Sequence, residues 1–187
     1  RDTATGRQRR LTDQNDHYEF YPSVSPDGRR VVYTTWDDQD LGSVRVAPIG
    51  GGASRVLTPE PGHYVEPRFS PDGSKIVYRK FTGGFLLAPF WSMEPGIYVV
   101  DAGGGEPVRV SESGFDAQFD AGGERVLFSE SADITELALK SVDLAGNEER
   151  THLQGAKVTE FSVSPDGRWV AFTEQYKAFV APFARTG

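Results

Sequence analysis

Four short apolar runs recur along the chain in the same setting. They are Arg30-Val-Val-Tyr33, Lys75-Ile-Val-Tyr78, Arg125-Val-Leu-Phe128 and Trp169-Val-Ala-Phe172. Each reads as a strand leaving a turn. The turn is Ser-Pro-Asp-Gly at 25–28, 70–73 and 164–167, with a degenerate copy, Asp-Ala-Gly-Gly, at 120–123. Proline pre-sets φ, aspartate bonds its own backbone, and glycine takes the left-handed conformation that closes a hairpin. Another strand runs into the turn, as in Glu66-Pro-Arg-Phe69 and Asp116-Ala-Gln-Phe119. A third follows: Ser43–Val46, Gly96–Val100, Leu139–Val142 and Ala178–Val180. Glycine-rich turns at Gly50–Gly52 and Gly103–Gly105 then lead to a fourth, Arg55–Thr58 or Val108–Ser111. The segment 133–140 has some helical propensity. Its alignment with the other copies instead predicts a hairpin tip at 133–137 and a strand over Leu139–Asp143.

The turns start at 25, 70, 120 and 164, so the spacings are 45, 50 and 44 residues. That period exceeds one hairpin and matches a four-stranded propeller blade. The chain is therefore expected to be all-β, a β-propeller or a propeller slice, with about four blades of four antiparallel strands. The segment Gly6–Thr12 matches Gly52–Thr58, which makes 1–12 a fourth strand of a preceding or closing blade. Blade 1 then spans 13–58, blade 2 59–111 and blade 3 112–154, with three strands of blade 4 in 155–187. Either the first strand completes the last sheet, or the molecule is an open slice. Open blade edges invite pairing with other chains. Arg7, Arg9 and Arg10 would blunt one of them.

The turn, the run Lys/Arg-x-Val/Ile-Val/Ala-Tyr/Phe after it, and Ile97-Tyr-Val-Val-Asp-Ala-Gly-Gly-Gly-Glu-Pro-Val-Arg-Val110 resemble WD-like propeller repeats of the TolB type. Such repeats also form the propellers of prolyl-oligopeptidase-like and tricorn-like peptidases. The wording of Phe90–Val100 and Tyr176–Phe183 is similar to propellers that precede a metal-dependent amidohydrolase domain in large bacterial proteins. The resemblance implies a module that binds or positions a protein, peptide or substrate, as an accessory domain of a larger hydrolase or as a stand-alone interaction propeller. It also implies an extracytoplasmic setting.

Composition narrows the chemistry. Gly 21, Pro 12 and 12% aromatics suit short strands and tight turns. Lys+Arg 20 against Asp+Glu 27 gives a net charge of −7, which argues against a broad basic surface for nucleic acid. Arg29, Arg30, Lys75 and Arg168 beside the turns make a rim too sparse for that purpose. With no cysteine there is no disulfide and no thiolate site. No apolar run is long enough to span a bilayer. The only methionine is Met93, so the chain reads as a processed product or an excerpt.

No His-x-His, His-Glu-x-x-His, Gly-x-Ser-x-Gly or P-loop occurs, so no catalytic residue, metal site or cofactor is assigned. His17, His63 and His152 read as ordinary loop or edge residues. Four residues before each turn stand Tyr21, Glu66, Asp116 and Glu160. A propeller brings these positions around its axis, so Glu66, Asp116 and Glu160 are expected at a channel mouth. They would attract a basic segment, an amine or a cation, or accept backbone N–H bonds within their blades. A carboxylate-based enzyme site is a further alternative. The long connection in blade 2 holds Phe85, Leu86, Phe90, Trp91 and Met93. Apolar residues in such a loop mark either a contact face for a protein or peptide, or a plug over the channel. The tip Asp37-Asp-Gln-Asp40 lacks a calcium-loop order and reads as a solvated turn.

Overall fold

The computed structural model describes residues 5, 6, 8–81 and 93–184. Among these residues fifteen strands form four antiparallel sheets and no helix. Blade 1 is β1 (Tyr18–Val24), β2 (Arg30–Trp36), β3 (Val44–Pro48) and β4 (Arg55–Val56). Blade 2 is β5 (Tyr64–Phe69), β6 (Lys75–Lys80), β7 (Gly96–Asp101) and β8 (Val108–Ser111). Blade 3 is β9 (Phe115–Phe119), β10 (Arg125–Asp133), β11 (Glu136–Asp143) and β12 (Arg150–Ala156). Blade 4 is β13 (Val158–Val163), β14 (Trp169–Glu174) and β15 (Lys177–Pro182). Strands run in chain order within each sheet.

The core lies between sheets. Val32, Val46 and Leu57 of blade 1 pack with Ile76, Tyr78 and Val100 of blade 2. Val77, Val99 and Val110 of blade 2 pack with Val126, Phe128 and Val142 of blade 3. Leu127 and Leu139 of blade 3 pack with Val170 and Ala181 of blade 4. Burying a Val, Leu or Phe side chain contributes about 1.5–3 kcal/mol relative to exposure. These interfaces explain why the second strands are apolar on both faces: one face meets the preceding blade and the other the next.

Turn chemistry repeats in detail. Ser25 Oγ donates to Asp27 Oδ1 at 2.6 Å and accepts from the Arg30 amide at 2.9 Å, and Gly28 N–H donates to the Ser25 carbonyl at 2.8 Å. The same set recurs at 70–75 and 164–169. In the degenerate turn Asp120 does both jobs, accepting from the amides of Glu124 at 2.8 Å and Arg125 at 3.0 Å. The serine hydroxyls hold Asp27, Asp72 and Asp166 below the ordinary aspartate range, with backbone amides adding to the effect. For Asp72 the value falls to about 2.

Two expectations are corrected. The 133–137 tip is narrower, because β10 and β11 pair through Ser131–Leu137 and leave Ile134 and Thr135 as the turn. Burial of Leu137, Ala138 and Leu139 favours this extension. The segment expected as a fourth strand near the N-terminus forms no strand over residues 8–12. Its position nonetheless follows the repeat. Arg9 donates to the carbonyls of Ile49 and Gly50, as Arg55 of β4 donates to the Gly103 carbonyl in the next blade. β15 has no neighbouring fourth strand among the described residues.

Candidate functional site

β1, β5, β9 and β13 are the first strand of each sheet, and each ends at its turn beside one shared opening of about 380 Å³. All four blades line it. Val24, Phe69, Phe119 and Val163 occupy the same repeat position there. Polar groups come one residue earlier in the repeat, from Ser23, Arg68 and Gln118, and one residue later, from Ser70, Asp120 and Ser164. Arg68 Nη1 reaches Gln118 Oε1 at 3.5 Å, joining blades 2 and 3 across the opening. A guanidinium, an amide and a hydroxyl beside apolar side chains can hold the backbone and carboxylates of an extended segment. Nothing in the repeat pattern announces Arg68 or Gln118, because this position is serine in blades 1 and 4, arginine in blade 2 and glutamine in blade 3.

The acidic positions belong to a backbone device. In blades 1 to 3 two residues of the inner strand stand opposite one aromatic on the second strand. They are Tyr21 and Pro22 against Tyr33, Glu66 and Pro67 against Tyr78, and Asp116 and Ala117 against Phe128. The first residue of each bulge is left-handed, with φ of 52° at Tyr21, 56° at Glu66 and 53° at Asp116. The aromatics opposite are 3%, 2% and 1% exposed. The bulge thus re-aims the inner strand around a buried ring.

Glu66 and Asp116 come together: Glu66 Oε2 accepts the Asp116 N–H at 3.1 Å. Glu160 is placed differently, because the irregularity in blade 4 falls between Val158 and Glu160. Glu160 Oε1 accepts from Thr173 Oγ1 within its own blade at 2.8 Å. Among the described residues no three His, Asp or Glu side chains are grouped so as to hold a metal ion.

Met93 is 68% exposed, whereas Phe85, Leu86, Phe90 and Trp91 lie outside the described residues. His63 packs between Trp36 and Phe81, at ring distances of 5.0 and 5.3 Å. His152 joins blades 3 and 4. Its Nδ1 lies 2.8 Å from the Ala184 carbonyl and its Nε2 2.8 Å from Ser141 Oγ, while Arg125 Nε donates to that same hydroxyl at 2.9 Å. This network fits a neutral ring that donates through Nδ1. Burial lowers the His152 pKa, and Arg125 and Arg150 lower it further. Trp169 is 48% exposed. Among the described residues no helix is long and apolar enough to cross a membrane.

Solved structures share this architecture. TolB from Acinetobacter baumannii aligns at 20% identity and TM-score 0.66, over 96% of this chain and 43% of that one. An oligogalacturonate lyase solved in complex with manganese aligns at 12% identity and TM-score 0.74, over 92% of this chain and 51% of that one. The propeller domain of the Trilobed protease from Pyrococcus furiosus aligns at 15% identity and TM-score 0.60, over 89% and 53%. The chain thus spans about half the length of these proteins. The family model for the TolB beta propeller domain matches residues 1–180. With the repeated turns and four radial sheets, that match makes the chain a member of the TolB-type β-propeller family.

Proposed function

We propose that this chain is a non-catalytic module that binds or positions a peptide or protein segment at the opening shared by its inner strands, and that it serves a larger hydrolase of the amidohydrolase type as an accessory domain. The supporting observation is convergence: four blades contribute to one opening, with Arg68 and Gln118 offering hydrogen bonds among apolar neighbours. Glu66, Asp116 and Glu160 are assigned to the channel in this reading. Met93, together with Phe85, Leu86, Phe90 and Trp91, is assigned to a second contact face. The likeness to the propeller domain of a protease favours the accessory role. The likeness to TolB favours the alternative, a stand-alone interaction propeller.

Selection of random heptapeptides on the chain tests the binding role. The expected winners carry a carboxylate, and Arg68→Glu weakens them about ten-fold or more, as removal of a charge-assisted hydrogen bond does. The wild-type chain is expected to turn over no member of an amide, peptide and glycoside panel. Equal binding to Arg68→Glu would overturn the assignment, as would turnover abolished by Glu66→Gln. The reading frame flanking the chain separates the two roles: a continuous metal-dependent amidohydrolase domain supports the accessory one, and further blades alone support the other.

A further inference from the structure

Blade 2 carries side chains that the repeat does not require. Tyr78 and Tyr98 stack with centroids 5.7 Å apart and planes 7° apart, and Tyr64 meets Tyr78 edge-on at 5.5 Å. Tyr78, Tyr98 and Arg109 stand side by side on β6, β7 and β8. The pairing registers identify their counterparts. They are Tyr33, Arg45 and Val56 in blade 1, and Phe128, Lys140 and Thr151 in blade 3. In blade 4 Phe172 and Phe179 make a similar stack, at 5.4 Å, with no polar group on either ring. Blade packing therefore needs no phenol at 98 and no guanidinium at 109.

The three tyrosines and Arg109 line a cleft of about 400 Å³ at the end of blade 2 remote from the Ser-Pro-Asp-Gly turn. Lys80, whose side chain is 5% exposed, lines it too and pairs with Glu60. So do Glu94 and Glu106, which are exposed and whose carboxylates make no ion pair among the described residues. Among the described residues its only aliphatic side chains are those of Pro59 and Pro107.

Arg109 points to what the cleft lacks. Its Nη2 donates to the Pro95 carbonyl and its Nη1 lies 3.6 Å from Glu112 Oε1. Its Nε is buried and has no hydrogen-bond partner among the described residues. Gly96 makes room for this group, since a Cβ there would lie 2.8 Å from Nε. The phenols of Tyr64 and Tyr98 are turned to the carbonyls of Glu60, at 2.9 Å, and Glu94, at 2.6 Å. A guanidinium keeps its protons at any physiological pH, so Nε–H remains a donor. A buried donor left without an acceptor is costly, and a bound acceptor would remove that cost.

We propose that this cleft binds a neutral polyhydroxyl group, as presented by a sugar ring. One hydroxyl oxygen accepts from Arg109 Nε, and neighbouring hydroxyls donate to Glu94 and Glu106. A hydroxyl is suited to both tasks because it donates and accepts at once. The C–H groups of the ring pack on Tyr98, the partly exposed member of the stack. A cation is disfavoured, because the unpartnered atom is itself a donor on a cation. An anion is disfavoured, because Glu94 and Glu106 have no counter-charge. An apolar peptide side chain would meet no branched aliphatic neighbour. The site is separate from the shared opening, so its fate does not depend on the function proposed for that opening.

Amide-resolved NMR titration of the chain with methyl glucoside, methyl galactoside and maltose tests it, with glucuronate and N-acetyl-lysine methylamide as charged controls. The expected result is saturable shifts at Tyr64, Tyr98 and Arg109 for at least one neutral sugar, and weaker or no binding of the two controls. Arg109→Lys keeps the charge but removes Nε, and is expected to weaken that sugar about ten-fold. Glu94→Gln/Glu106→Gln is expected to weaken it several-fold by replacing charge-assisted hydrogen bonds, and Arg68→Glu to leave it unchanged. Both carboxylates are exposed, so the double variant should match wild type by circular dichroism and keeps the test decisive if Arg109→Lys unfolds. Tighter binding of maltose than of methyl glucoside indicates a glycan chain and no tighter binding a single sugar, and either supports the site. No saturable shift with any neutral sugar, a charged control that binds as tightly as the best of them, or unchanged affinity in either folded variant would overturn it.

Discussion

Asp72 shows how one residue type sets a turn. Its carboxylate accepts from Ser70 Oγ at 2.6 Å, from the Ser74 amide at 3.0 Å and from Ser74 Oγ at 2.7 Å. These bonds favour the ionised form and lower its pKa from 3.8 to about 2. A depressed folded-state pKa means that the stabilisation is present above the unfolded value and is lost as pH falls through the folded one. Asp72→Asn should therefore melt below wild type at pH 6, with the gap closing between pH 4 and 2. A gap that does not change with pH would remove the carboxylate from the account. Gly73 has φ +72°, and a Cβ there would lie 3.1 Å from Arg30 Nη2, which donates to the Gly73 carbonyl at 2.7 Å. Gly73→Val should destabilise by about 1–3 kcal/mol in denaturant melts. These turns were legible, because their hydrogen bonds join residues five or fewer apart. The degenerate turn was legible as a copy, but not the fact that Asp120 replaces both serine and aspartate.

Between elements, register carries information that residue spacing does not. The acids at 66 and 116 were visible as a repeated position, but their left-handed backbone depends on a ring in the partner strand. Asp116→Val should destabilise by about 1–3 kcal/mol because a β-branched residue resists positive φ, whereas Asp116→Gly should be close to neutral. Equal stabilities for the two variants would contradict the bulge assignment. His152 was read as an ordinary edge residue; it links blades 3 and 4 through Ala184 and Ser141, and the sequence does not bring 152 beside 184. Its lowered pKa makes the neutral ring the stabilising form. Stability from this link is present above the ordinary histidine value of 6.5 and is lost as pH falls through the lower folded value. The melting-temperature advantage of wild type over His152→Phe should therefore shrink on going from pH 7.5 to 5. An advantage that grew on acidification would reverse the assignment.

For the whole molecule, the repeat spacing made the radial sheets legible, since each blade reuses one grammar of turn and strand. The chemistry of the shared opening was less so. Arg68 and Gln118 are 50 residues apart and meet only because successive inner strands lie side by side. The joint claim of architecture and function is tested most directly by a cysteine pair at these two positions, in a chain with no cysteine of its own. Arg68→Cys/Gln118→Cys treated with a short bifunctional maleimide should give an intrachain cross-link that closes the opening and abolishes binding of the selected peptides. Failure to cross-link within one chain would contradict the side-by-side inner strands, and a cross-linked chain that binds those peptides as before would contradict the opening as their site.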